Sequence, residues 1–212
     1  LSPSVPLATS LGVALVVALV AMPAVGSGSL PLSAGVLLLA GLAGGLLYSL
    51  PPVEAMRRGW GEPLNAVLGA LLLPLYGVAV AAGSFEWLDV VAFLPFTLVA
   101  LASVMATAWP DRGADAATGK GTLQVRLPVA TLRRIHVLTL AGFVLASLLS
   151  AVTGAMPLVL VLAGLAVTPL LILGSWSYTR RESPLPNVAA MVGLALITTA
   201  GLLLTLAQRS GA

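Results

Sequence analysis

The chain has 212 residues, of which 59% are hydrophobic and only 8% charged, with ten Lys and Arg against seven Asp and Glu and a mean hydropathy of +1.08. An ordinary soluble domain carries about 25% charged residues, so this composition excludes a soluble globular domain, and a disordered chain would be more polar still; few aromatics and no alternating polar pattern argue against an outer-membrane barrel. The net charge of +3 comes from few residues and is no nucleic-acid signal, the absence of Cys removes disulfides and thiolate chemistry, and a single His removes multi-His metal sites.

The expected fold is therefore an all-α integral membrane protein in a single domain spanning residues 1–212. Apolar runs of roughly 20 residues, enough to cross roughly 30 Å of hydrocarbon, occur in sequence at Leu7–Val25, Leu30–Leu50, Pro63–Gly83, Leu88–Ala108, Ile135–Gly154, Pro157–Tyr178 and Val188–Ala207. The first lacks a basic leader and does not read as a signal peptide. Gly41 and Gly45 form a G-x-x-x-G suited to close helix packing. Trp60, Trp87, Trp109 and Trp176 fall near helix ends, where interface anchors sit, and Arg180-Arg181 reads as a topological anchor. His136, following Arg133-Arg134 at a helix start, is expected at headgroup level.

The connections alternate in character. Those after the first, third and fifth spans carry almost no charge. Those after the second, fourth and sixth hold nearly all the basic residues, among them Arg57, Arg58, Arg112, Lys120, Arg126, Arg133, Arg134, Arg180 and Arg181. If every helix spans, these three share one face, and the positive-inside bias makes it cytoplasmic. The expected location is the cell membrane, with loops 51–62, 109–134 and 179–187 in the cytoplasm.

The long fourth connection contains the one string with evident chemistry. Asp111 and Asp115 are spaced i, i+4, so on a helix both carboxylates lie on one face and repel. A divalent cation resolves that repulsion. Carboxylates and water suit Mg²⁺, which commonly bridges to a substrate phosphate. Lys120 and Arg126 stand near enough to neutralise phosphate oxygens, and Gly119 and Gly121 permit a tight turn. Taken on spacing alone, a solvated loop whose acids answer its bases is the favoured explanation of the pair, since D-x-x-x-D is common.

The wider string D-x-x-x-D-x-x-x-G-K-x-T-L-x-V-R-L, from Asp111 to Leu127, resembles the second aspartate-rich motif of the UbiA superfamily of membrane prenyltransferases. Tyr48-Ser49-Leu50-Pro51-Pro52, followed by Arg57-Arg58-Gly59-Trp60-Gly61-Glu62, resembles that family's Y-S-x-P-P…R-G-x-G-E segment. The Gly119-Lys120-x-Thr122-Leu123 version looks most like the MenA-like branch, the 1,4-dihydroxy-2-naphthoate polyprenyltransferases of menaquinone synthesis.

The resemblance implies transfer of a polyprenyl group from an allylic diphosphate to an aromatic acceptor, a quinone precursor. It implies Mg²⁺ on Asp111 and Asp115, with Lys120 and Arg126 at the diphosphate and Arg57 and Arg58 ranked below them. Tyr48 would line the acceptor site or flank the carbocation, or else serve as an interface aromatic. Glu62 and Asn65 are candidates for polar contacts within the bundle, or for helix-start chemistry beside Pro63. The expected partners are the polyprenyl diphosphate, the aromatic acceptor and the bilayer, with no nucleic acid. The family has nine helices and a first motif, N/D-D-x-x-D, that none of Glu54, Glu62, Glu86 or Asp89 matches. The seven spans are therefore expected to correspond to helices 3–9 of an N-terminally truncated member, with Leu1-Ser2-Pro3-Ser4 just after the lost motif, and that loss could leave this polypeptide inactive alone. The alternatives are a non-catalytic membrane scaffold derived from the family and a small transporter subunit, the latter disfavoured by helices almost free of ionisable residues. Departures from the family pattern fall at Glu54 and Met56, where basic residues are common, and at Gly121, where a larger residue is.

Overall fold

The computed structural model describes residues 4–210; the start of the chain that the resemblance sets beside a first aspartate-rich motif, residues 1–3, lies outside them. The chain is all-helical, and among the described residues seven helices are long and apolar enough to cross a membrane. In chain order the elements are α1 (Ser4–Gly26), α2 (Leu32–Ser49), a 3₁₀ turn (Ala55–Arg57), α3 (Gly61–Ala82), α4 (Trp87–Ala108), the short α5 (Arg112–Ala117) and α6 (Leu123–Arg126), α7 (Val129–Val152), α8 (Leu158–Ser177) and α9 (Leu185–Ser210). The fifth span starts six residues before the expected Ile135, because Pro128 fits a helix entry and residues 129–134 prolong the helix into the polar face. The long fourth connection is correspondingly shorter than expected and partly helical.

The core lies where α4, α7, α8 and α9 meet. Val99, Phe143, Val167, Leu171, Ala190 and Leu194 form one buried cluster there, and Met105, Ala106, Trp109, Leu132 and Tyr178 a second at the polar end. α3 packs beside α4, α2 lies against α3, and α1 rests on α2. The outward side chains of α1, among them Val13, Leu15, Val16, Leu19 and Val20, are exposed, as lipid-facing residues are. Within Gly41–Gly45 it is Gly44 that meets a neighbour: a Cβ there would lie 2.5 Å from a methyl of Leu68, whereas Gly41 and Gly45 face nothing within 4 Å.

Prolines lie inside several spans, and at Pro74, Pro95 and Pro169 the polar consequences are met by contacts from other helices or by local changes of helix type. Pro74 cannot donate to the Ala70 carbonyl, the helix shifts into a π segment over Leu68–Leu72, and the Thr97 hydroxyl of α4 donates to Ala70 O at 3.2 Å. Pro95 leaves the Val91 carbonyl without its helical donor in the same way, and Ser150 of α7 donates to it at 2.9 Å. Before Pro169, α8 tightens into i→i−3 bonds, Ala166 N to Ala163 O and Val167 N to Gly164 O. Thr97→Val and Ser150→Ala should each lower stability in detergent by about 0.6 to 1.7 kcal/mol, read from unfolding curves, while the neighbouring Thr107→Val, whose hydroxyl bonds only within its own helix, should change little.

The connections after α2, α4 and α8 touch one another. Gly121 N donates to Arg57 O at 3.1 Å, Arg112 Nη1 lies 3.5 Å from Glu182 Oε1, and Arg133 Nε donates to Thr179 Oγ1 at 2.6 Å. The charged loops therefore form one polar face at one end of the bundle, as the alternation of charge along the sequence requires.

Candidate functional site

The site is assembled from two loops and the helix ends they join. After α2, the chain turns through the 3₁₀ segment with Glu54 and Gly59 at φ 42° and 82° and enters α3 at Gly61-Glu62-Pro63. After α4, Pro110 ends the helix and α5 begins. Asp111 occupies the N-cap position of α5 without a side-chain capping bond, Asp115 lies within the helix, and Asp115 N bonds to Asp111 O at 2.8 Å, so the two aspartates stand one turn apart. Gly119 at φ 71° then reverses the chain, and Lys120 N closes the turn on Asp115 O at 2.9 Å. That closure returns the Lys120 ammonium to its own motif, with Nζ 3.2 Å from Asp115 Oδ1, while the Thr122 hydroxyl reaches Asp115 Oδ2 at 3.4 Å.

The two loops are stapled together at Glu62. This carboxylate is only 4% exposed, and its Oε1 accepts the backbone N–H of Leu123, the first residue of α6, at 3.0 Å. Its own amide lies beside the carboxylate, yet Oε2 is buried without a hydrogen-bond partner. Gly121 completes the junction: a Cβ there would lie 2.5 Å from the Arg57 carbonyl oxygen, so only glycine lets the loops approach so closely.

A cavity of about 190 Å³ opens at this junction, lined by Tyr48, Met56, Gly61, Glu62, Val104, Thr107, Ala108, Asp111, Lys120 and Thr122. The structure thus brings Tyr48, Asp111 and Lys120 into the lining of one cavity, with the buried Asp115 bound to Lys120 and Thr122. Arg58 and Arg126 are not in that lining; they flank an adjoining groove with Trp60, Pro63 and Leu123. Arg57 is exposed, 3.8 Å from Glu54, and meets the junction through its carbonyl. Asn65, one turn beyond Glu62, is exposed and outside the cavity. A separate apolar cavity of about 210 Å³, lined by residues such as Phe93, Phe96, Leu160 and Leu194, holds no titratable side chain and lies away from the polar face.

Beneath the site a buried polar column joins α6 to the C-terminal helices. The Gln124 amide donates to Met105 O at 2.9 Å and to the Tyr178 hydroxyl at 3.3 Å. Burial pushes the Tyr178 phenol up to about 12, against the pull of the Gln124 donor, so it remains a neutral hydroxyl near pH 7. His136 stacks on Tyr178 at 4.7 Å and pairs through Nδ1 with Ser175 Oγ at 2.8 Å. This corrects the expectation of a headgroup-level histidine: it is 1% exposed, because the partners that accept it come from α8, far away in sequence. Trp109 is likewise no interface anchor. It is buried edge-on to Tyr178 and carries the Arg112 guanidinium over its face at 3.9 Å, whereas Trp60, Trp87 and Trp176 are exposed as expected. Thr122 was read only as part of a motif, with no role of its own, and Gln124 and Tyr178 were not singled out by sequence; a lone amide between the apolar residues of a membrane-end loop was the available signal for Gln124.

The donor set suits a hard divalent cation, since Asp111, Asp115 and Thr122 offer only oxygen. Among the described residues no three His, Cys, Asp or Glu side chains converge on a common point. Mg²⁺ needs only one or two protein carboxylates when phosphate oxygens and water complete its shell, so the pair fits. The arrangement can hold a cation between two aspartates and a phosphorylated ligand, with Lys120 beside it and a mostly apolar bundle behind. Comparison with known proteins agrees with this chemistry: the model of the UbiA prenyltransferase family matches residues 2–206. No curated protein and no solved structure matches the chain.

Proposed function

The chain belongs to the UbiA prenyltransferase family, membrane enzymes that act on prenyl diphosphates and aromatic substrates and generally use Mg²⁺, and from this premise we propose that it transfers a polyprenyl group to an aromatic quinone precursor, 1,4-dihydroxy-2-naphthoate being the favoured acceptor. The observation that carries this reading is the convergence of Asp111, Lys120, Glu62 and Tyr48 on one cavity at the polar end of an apolar bundle.

Asp111 and Asp115 hold Mg²⁺, and Lys120, with Arg126 and then Arg57 and Arg58 at the rim, neutralises the diphosphate. Mg²⁺ supplies electrostatic stabilisation of charge developing on the leaving group. Lys120, paired with Asp115 at 3.2 Å, stands beside the aspartates and within the cavity lining, where it neutralises phosphate oxygens of the donor. Gly119 and Gly121 keep the loop tight enough to hold it there. Tyr48 lines the same cavity as Asp111 and Lys120, and its role is to line the acceptor site or flank the allylic carbocation. Asn65, exposed and outside the cavity, is left out of the site, and the apolar helices shield the site from water, which strengthens every charge interaction in it. The bilayer is the cell membrane with loops 51–62, 109–134 and 179–187 cytoplasmic, supported by their basic residues.

The test is transfer of a labelled farnesyl group from farnesyl diphosphate to 1,4-dihydroxy-2-naphthoate, with 4-hydroxybenzoate as the competing acceptor. The expected result is Mg²⁺-dependent product abolished by EDTA and restored by added Mg²⁺, with the naphthoate preferred. Chelator-insensitive transfer, or no binding of either substrate, contradicts it, and preference for the benzoate overturns the branch assignment.

A further inference from the structure

Glu62 has an oxygen that the machinery above does not use. Oε1 is committed to Leu123 N–H at 3.0 Å. Oε2 is buried and unpartnered, on a side chain that lines the same cavity as Tyr48, Thr107, Asp111 and Lys120. Buried polar atoms without partners are uncommon and call for an explanation. A third ligand to the cation is not supported, because no three acidic or imidazole groups converge among the described residues. In its ionised form a carboxylate oxygen only accepts hydrogen bonds, so the partner that Oε2 would take when acting as a base is a donor. Of the two substrates of the proposed reaction, the diphosphate is an anionic acceptor with no donor to offer, and the aromatic acceptor brings a hydroxyl.

We propose that Glu62 Oε2 binds the ring hydroxyl of the aromatic acceptor and receives its proton during transfer; the assignment rests on the prenyl-transfer reading above. The allylic C–O bond breaks with its electron pair leaving on diphosphate. Ring π electrons form the new C–C bond to the allylic carbon, and the hydroxyl proton passes to Oε2, leaving a neutral enone in place of an oxocarbenium ion. The alkylated carbon then loses its own substituent, either a proton to the released diphosphate or its carboxylate as CO₂. Those bonding electrons restore the ring, and Glu62 returns its proton to the oxygen. Glu62 is thereby a catalytic residue contributed by the loop that lacks the aspartates, and the Leu123 staple fixes its orientation.

The test compares equilibrium binding of 1,4-dihydroxy-2-naphthoate with that of its 1,4-dimethyl ether to the purified full chain in the presence of Mn²⁺ and farnesyl thiolodiphosphate, a donor analogue that resists ionisation and so prevents turnover. The wild type should bind the diol about 10- to 100-fold more tightly than the ether, the range for a hydrogen bond to a charged group. Glu62→Gln keeps an oxygen for Leu123 N–H but presents a donor in place of Oε2. It should erase that preference, lower turnover by about 100-fold and leave Mn²⁺–diphosphate affinity unchanged. A wild type that binds the diphosphate but treats diol and ether alike overturns this assignment without touching the prenyl-transfer reading, and needs no variant to fold. Weakened Mn²⁺ binding in Glu62→Gln overturns it in favour of a metal ligand. Failure of the wild type to bind Mn²⁺–diphosphate at all removes the reading on which it rests.

Discussion

Asp115→Ala should reduce prenyl transfer by about 100- to 1000-fold, the loss typical when a preplaced group that stabilises transition-state charge is removed. Asp115 is the more consequential aspartate because it has two functions. In the proposed reaction it offers a carboxylate toward the cation, and in the structure it organises the loop that carries the rest of the site: Oδ1 holds Lys120 at 3.2 Å and Oδ2 receives the Thr122 hydroxyl at 3.4 Å. Asp111 is exposed at the α5 cap and has no hydrogen-bonded side-chain partner there, so Asp111→Ala should lose activity while leaving the melting curve in place. Asp115→Ala should lose activity and loosen the loop as well, seen as faster proteolysis between Gly113 and Arg126. Equal proteolysis in the two variants would contradict this division of labour.

Gly121→Lys is the second large effect. A larger, often basic residue is common at the corresponding place in the family that the motif resembles, so tolerance would be the naive expectation. Here a Cβ would fall 2.5 Å from the backbone carbonyl oxygen of Arg57 and 3.3 Å from the Arg126 guanidinium. Backbone cannot swing aside as a side-chain tip can, so the fourth connection must lift off the second. The hydrogen bond Gly121 N to Arg57 O is then broken, and the staple from Glu62 to Leu123 is strained. Overpacking of this kind costs about 1 to 3 kcal/mol, which should appear as a lower melting temperature together with a raised KM for the prenyl diphosphate. Gly119→Ala, at φ 71° but with open space around it, should cost less. A Gly121→Lys protein with unchanged melting temperature and KM would show that the two loops do not dock as described.

The seven spans were legible because each is an apolar run of near-uniform hydropathy, a signal that needs no tertiary information. The shared polar face was legible for a similar reason, since helix count and the charge of each connection fix it together. Helix interruptions were less so. Pro74, Pro95 and Pro169 are visible in sequence, yet whether a proline kinks, shifts or merely loses a bond depends on a partner such as Thr97 or Ser150 on another helix. The start of α7 was missed because residues 129–134 are polar enough to resemble loop, and only contact with the fourth connection and with Thr179 makes them helical scaffold.

At the site, Asp111, Asp115 and Lys120 could be read from spacing and motif, as local neighbours can. Glu62 was visible as an acid beside Pro63, but its bond to Leu123 spans sixty-one positions and no local pattern encodes it. His136 shows the converse error: two arginines beside it suggested the headgroups, while its surroundings were set by Ser175 and Tyr178 of the sixth span and the turn after it. Distant pairings of this sort place the functional oxygens, and they become legible only when the helices are packed.

Prenyl transfer at this site requires that the aspartate pair of α5 hold a metal–diphosphate complex. The most direct measurement is Mn²⁺ binding, followed by its electron paramagnetic resonance signal, to the purified chain with and without farnesyl diphosphate, in the wild type, Asp111→Ala and Asp115→Ala. Mn²⁺ binding should be strengthened by the diphosphate in the wild type and lost in both variants; diphosphate-dependent binding that survives unchanged in both would contradict the aspartate site.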